Sequence, residues 1–98
     1  MAVKVLIRRI VPRDQAKEMI PLFRQIRALA VNEKGYISGE TLRNLEDPEE
    51  YFVISTWNSA DDWKNWLENR ERKKIQDKMD LLLKGETEYK ILHYGFTE

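Results

Sequence analysis

Residues 51–57, Tyr51-Phe52-Val53-Ile54-Ser55-Thr56-Trp57, carry bulky apolar side chains on both parities of an extended chain. Tyr51, Val53 and Trp57 share one side; Phe52 and Ile54 share the other. A strand with one face in water alternates apolar with polar residues. This strand therefore asks for cover on both faces. A chain of 98 residues has material for one domain, residues 1–98, and one layer of helices. The second cover then comes from another chain, as in a homodimer packed through its sheets with two-fold symmetry. The alternative is that these aromatics follow their ordinary preference for strands.

The rest of the chain supplies the partners of that strand. Residues 3–11 alternate, with Val3, Val5, Ile7 and Val11 on one parity that Arg9 interrupts. Lys4, Leu6, Arg8 and Ile10 fall on the other parity, and Pro12 ends the strand because it cannot donate to a ladder. Asp14 is a candidate helix cap. Ala16, Met19, Ile20, Phe23, Ile26 and Ala30 then follow helical spacing. Pro21 inside this run predicts a kink or the first residue of a second segment. Residues 32–35 read as the helix exit, with Gly35 free to take a left-handed conformation. Residues 36–45 read as a strand in which Gly39 marks a bulge or a close backbone approach. Asp47-Pro48-Glu49 is turn chemistry that joins this strand to residues 51–57 as a hairpin. Ser59 opens another helix, with Asp62 three residues on as in a capping box. Trp63, Trp66 and Leu67 lie on one face of it. After the polar stretch 68–74, Ile75, Met79 and Leu82 continue at helical spacing to Gly85. The last strand runs from Tyr89 to Tyr94 or Phe96, with Ile91 on one parity and Leu92, Tyr94 and Phe96 on the other. The order β-α-β-β-α-β predicts an α+β, ferredoxin-like antiparallel sheet with helices on one face.

Composition narrows the chemistry. Lys and Arg number 17, Asp and Glu 17, so the net charge is zero. That lacks the basic footprint of a nucleic-acid binder. With no cysteine and one histidine, thiolate catalysis and Cys- or His-cluster metal sites have no ligands. No apolar run approaches the about 18 residues of a membrane span. The N-terminus has no signal-peptide apolar core. The expectation is a cytoplasmic domain with no metal and no nucleic-acid or membrane partner.

Two stretches carry a resemblance. One is Gly35-Tyr36-Ile37-Ser38-Gly39-Glu40-Thr41-Leu42; the other runs from Tyr51 through Trp57 into Asn58-Ser59-Ala60-Asp61-Asp62-Trp63-Lys64-Asn65-Trp66. Together with the element order they resemble the antibiotic biosynthesis monooxygenase (ABM) domain family, over nearly the whole chain. The resemblance implies a dimeric α+β barrel, two ferredoxin-like subunits facing each other across their sheets. One branch of the family oxidises polycyclic aromatics with molecular oxygen and no metal or flavin; another binds and degrades heme. The heme branch carries an Asn on the first strand, a Trp on the helix after the third, and a His ten residues beyond that Trp. Trp66 matches the Trp, but Gln76 stands at the His place and Arg8 or a neighbour at the Asn place. Gln is not a usual proximal heme ligand, so the resemblance points to the cofactor-independent branch, with no cofactor.

The candidate site residues each have two readings. Trp66 stacks on a flat substrate, or it packs the core with Trp63 and Leu67. Phe23 joins it as a substrate-binding candidate. Arg8, a catalytic candidate along with His93, binds an acidic or phenolate group, or it forms an intersubunit or interstrand salt bridge, since an inward or partner-facing Arg needs a carboxylate or ligand. Gln76 hydrogen-bonds a substrate, or it is a solvated helix residue. His93, the one side chain that titrates near neutral pH when unperturbed, is a general base or a hydrogen-bonded structural residue. The basic run 69–74, interleaved with Glu68 and Glu71, reads as a solvated helix face. The expected function is cofactor-independent oxygenation of a small, aromatic molecule. The alternative from another class is a non-catalytic ligand-binding or stress-associated dimer using the same pocket.

Overall fold

The computed structural model describes residues 1–95. Strand β1 (Val3–Ile10) leads through a 3-10 turn (Arg13–Gln15) into helix α1 (Ala16–Ala30). Strands β2 (Tyr36–Arg43) and β3 (Glu50–Trp57) follow, then helices α2 (Ala60–Leu67) and α3 (Arg70–Asp80), and strand β4 (Glu88–Leu92). The sheet order is β2-β3-β1-β4, with every neighbouring pair antiparallel. This is the expected α+β, ferredoxin-like arrangement.

Register sorts the side chains onto two faces. Val5 opposes Ser55 and Ile91, Ile7 opposes Val53 and Tyr89, and Arg9 opposes Tyr51. These residues face the helices. Val3, Val5 and Ile7 pack there with Trp57, Trp63, Trp66 and Ala30 in one buried cluster. A second cluster joins Val11 to Met19 and Leu22 of α1 and to Ile75 and Met79 of α3. The other parity places Leu6 opposite Ile54 and Arg8 opposite Phe52. Among the described residues no helix covers that face.

Local chemistry places most boundaries, with several differences from the sequence reading. Asp14 does not cap α1. It lies in the 3-10 turn that Gln15 N closes on Pro12 O at 2.9 Å, and α1 starts with no side-chain cap. Pro21 does not start a second segment; α1 runs through it. Both Pro21 and Lys17, whose carbonyl loses its partner, are exposed, so water can satisfy that group. Ile20, on the apolar spacing of the helix, is 44% exposed. The register shift in β2 falls between Tyr36 and Ser38 rather than at Gly39. The run after Ser59 is two helices, not one. Ser59 Oγ accepts from Asp62 N at 3.1 Å to cap α2, and Asn69 Oδ1 accepts from Arg72 N at 2.9 Å to cap α3. β2 ends at Arg43, short of Leu45, and β4 ends at Leu92, short of Tyr94. Phe96 lies outside the described residues.

Candidate functional site

Trp57 closes β3 with 1% of its surface exposed and organises the aromatic side chains around it. Its Nε1 donates to Ser55 Oγ at 3.0 Å, so its one polar atom is satisfied without leaving the core. Tyr36 meets it edge-on at 5.4 Å, Trp63 at 5.9 Å, and Trp66 stacks at 6.2 Å with 24° between planes. Trp63 and Trp66 reach it together because they are three apart on α2 and share one helix face.

Between this cluster and α1 lies a cleft of about 70 Å³. Phe23 and Ile26 of α1 form one wall, and Val53, Trp57 and Trp66 the other. At the β2 side a Cβ on Gly39 would stand 2.7 Å from the Tyr36 hydroxyl oxygen, so glycine lets Tyr36 lie against the strand. Arg27 Nη2 donates to Gly39 O at 3.1 Å and ties α1 to β2 across the rim.

Arg9 completes the inner wall of the cleft. It continues the parity of Val3, Val5 and Ile7, and only 3% of it is exposed. Its guanidinium carbon lies 5.8 Å from the Phe23 ring centroid. Nη2 donates to Gln76 Oε1 at 2.7 Å, while Nε has no acceptor among the described residues. Burial pushes this guanidinium down to about 10; Tyr89 opposes the shift and the Arg72 cation adds to it. It stays protonated at neutral pH.

The expected site residues do not all meet. Trp66, 5% exposed, packs in the core and borders the cleft at once, and Phe23 borders it from α1. Arg8 projects from the opposite face of the sheet. Its Nε donates to Glu50 and its Nη1 to Glu88 at 2.9 Å, both within the chain, and the Glu50 bond raises the guanidinium above its ordinary range. Gln76 is not a solvated helix residue. It is 8% exposed, and its Nε2 donates to Asp80 Oδ1 at 2.8 Å and Thr87 Oγ1 at 3.0 Å. It stands behind Arg9 and is not part of the cleft wall. His93 follows β4 and is exposed, bordering a separate hollow of about 110 Å³ with Lys4, Thr56 and Leu92. In the run 69–74, Arg72 departs from the solvated face. It is 5% exposed and its Nη2 donates to the Tyr89 hydroxyl at 3.1 Å. Sequence reasoning missed Arg9, Arg27 and Tyr36 as cleft residues. The signal for Arg9 was its parity with the buried valines of β1.

A ferredoxin-like α+β domain with an aromatic-walled cleft between its first helix and its sheet defines the class. Residues 2–78 match the family described as antibiotic biosynthesis monooxygenase, and the chain belongs to that family. Among solved structures it is similar to a conserved protein from Methanosarcina mazei Go1, at 22% identity and TM-score 0.87, covering 93% of this chain and 90% of that one. It is also similar to SnoaB, a cofactor-independent oxygenase from Streptomyces nogalater, at 18% identity and TM-score 0.85, covering 98% and 95%. Rv0793 from Mycobacterium tuberculosis matches at 13% identity and TM-score 0.87, covering 99% and 98%. At these identities the likeness is one of fold. Comparison with curated protein sequences finds no match.

Proposed function

We propose that the protein is a cofactor-independent monooxygenase acting on a small aromatic molecule in the cytoplasm. The observation that carries this reading is the cleft itself, an apolar slot bordered by Phe23, Trp57 and Trp66 in a member of the monooxygenase family. In such a reaction the bound substrate is the reductant. Deprotonated, it passes an electron to molecular oxygen; one oxygen atom enters the ring, and the other leaves as water with two substrate hydrogens. The protein supplies a dry slot, aromatic faces that orient the ring, and stabilisation of the developing anion. Trp66 and Phe23 hold the ring. At about 70 Å³ the cleft is narrower than the roughly 300–1,000 Å³ of pockets that take drug-sized ligands. It admits the edge of a ring as it stands, and a larger substrate requires α1 and β2 to part at the Arg27–Gly39 bond.

The same proposal includes a homodimer through the uncovered sheet face, where Leu6, Ile10, Phe52 and Ile54 are half-buried with nothing from a helix above them. Arg8, paired within its own chain on that face, belongs to this surface rather than to the cleft.

Oxygen uptake with a panel of hydroquinones and anthrones tests the activity. Wild-type protein is expected to consume oxygen with at least one of them, and Trp66→Phe to do so more slowly. Saturable quenching of tryptophan fluorescence with no uptake by any compound favours the second reading, a non-catalytic ligand-binding dimer. The narrowness of the cleft is the observation that keeps this reading in play.

A further inference from the structure

Adjacent arginines of β1 face opposite sides of the sheet and differ in what they meet. Arg8 has two carboxylates, Glu50 and Glu88. Arg9, buried on the other side, has none in contact. Its side-chain hydrogen bond goes to the neutral Gln76; the Asp80 carboxylate, bonded to that amide, makes no ion pair with Arg9 and acts on it only as the weakest of the charges around it. A second buried cation, Arg72, lies in the same network. Its Nε and Nη1, like Arg9 Nε, have no acceptor among the described residues. A buried charge without a counter-charge is strongly unfavourable, and a shape-matched apolar residue would avoid that cost.

We propose that Arg9 is a specificity-determining residue: the cleft takes a planar aromatic oxyanion, a phenolate or a carboxylate, whose charge Arg9 receives while the aromatic walls hold the ring. This deepens the reading of the cleft as the ligand site and rests on it. The guanidinium lies on the cleft wall beside Phe23, and its buried Nε has no acceptor among the described residues. It remains charged at neutral pH, and a hydrogen bond to an ionised partner is among the stronger ones a protein makes. Gln76 is a positioning residue. Its amide nitrogen is committed to Asp80 and Thr87, which fixes its oxygen toward Arg9 and holds the guanidinium in place.

The test compares three probes of one shape, 4-nitrophenol, 4-nitrobenzoate and the neutral nitrobenzene, by quenching of tryptophan fluorescence. 4-Nitrophenol is yellow only as its phenolate, so a rise in yellow absorbance on adding protein at a pH just below the probe's own pKa reports capture of the anion. Wild-type protein is expected to bind at least one anion about tenfold or more tighter than nitrobenzene, the worth of one charge-assisted hydrogen bond. The tighter of the two identifies the oxyanion. Arg9→Met is expected to lose the preference and keep nitrobenzene binding. Gln76→Glu, which leaves Arg9 in place but supplies a built-in carboxylate, is expected to lose it too, so the test survives a misfolded Arg9 variant. Equal binding of all three probes, or a preference that persists in the variants, overturns the proposal alone. Failure of all three to bind overturns the ligand-site reading of the cleft and this proposal with it.

Discussion

At Gly35 the backbone takes φ 86° to turn from α1 into β2, and its carbonyl accepts from Asn58 N at 2.7 Å. A Cβ there would run into the Asp62 side chain in the first turn of α2, whereas at Gly85, with φ 80°, it would meet open space. Gly85→Ala is expected to cost about 1–2 kcal/mol, the strain of a left-handed alanine. Gly35→Ala should cost more, because Asp62 must also move; urea denaturation of the two variants measures the difference. Glu50 gives a second residue-level expectation. Hydrogen bonds from Asn44 and then from Arg8 hold its carboxyl below the usual carboxylate range. In the unfolded chain it titrates near about 4.3, so its contribution is complete above that pH and is lost as pH falls through the lower folded value. Thermal melts across the acid range should show a shallower decline for Glu50→Gln than for wild type. At this scale the sequence was partly legible. Arg9 shares the parity of the buried valines of β1, but nothing local revealed that Gln76, 67 residues away, would be its partner.

Elements were readable wherever an apolar run was bounded by turn or cap chemistry. β1 and β3 were bounded by such chemistry, β1 by Pro12 and β3 by the Asp47 turn, where Glu50 N donates to Asp47 O at 3.0 Å. The division between α2 and α3 was hidden. Ile75, Met79 and Leu82 continue the helical spacing of Trp63, Trp66 and Leu67, so the pattern reads straight through the break. The cap that makes the break sits in a charged run, with Arg72 where a capping box has Glu or Gln. Asn69 serves twice: Oδ1 caps α3, and Nδ2 donates to Glu33 Oε1 at 2.8 Å, fastening the α2–α3 corner to the loop after α1. Among the described residues the Ser59 side chain makes only its cap bond. Alanine at Ser59 is therefore expected to cost about 1 kcal/mol, and alanine at Asn69 toward the upper end of the about 0.5–2 kcal/mol range for lost caps. Denaturant midpoints of the two variants check the order.

For the whole molecule, the apolar content of both faces of β3 was plain in the sequence, and the structure places Phe52 and Ile54 on the face without helices. The proposed dimer gives a direct expectation. Wild-type protein should sediment at twice the 11.7 kDa of one chain, and Ile54→Glu, which sets a carboxylate in the middle of that face, should sediment as a monomer with its fold retained. A wild-type monomer at micromolar concentration would remove the dimer from the proposal. The strand order has a separate consequence, in time rather than in space. β1 lies inside the sheet, yet Ile7 pairs with Val53 on one side and Tyr89 on the other. During synthesis β1 leaves the ribosome before either partner exists, and only β2 and β3 can zip locally as a hairpin. Until β4 emerges, the valines and isoleucines of β1 have an unfilled edge beside them, and wrong strand pairing competes with the native one. The nascent chain is thus most vulnerable to aggregation in the interval between β3 and β4, and a chaperone that shields β1 would act to greatest effect then.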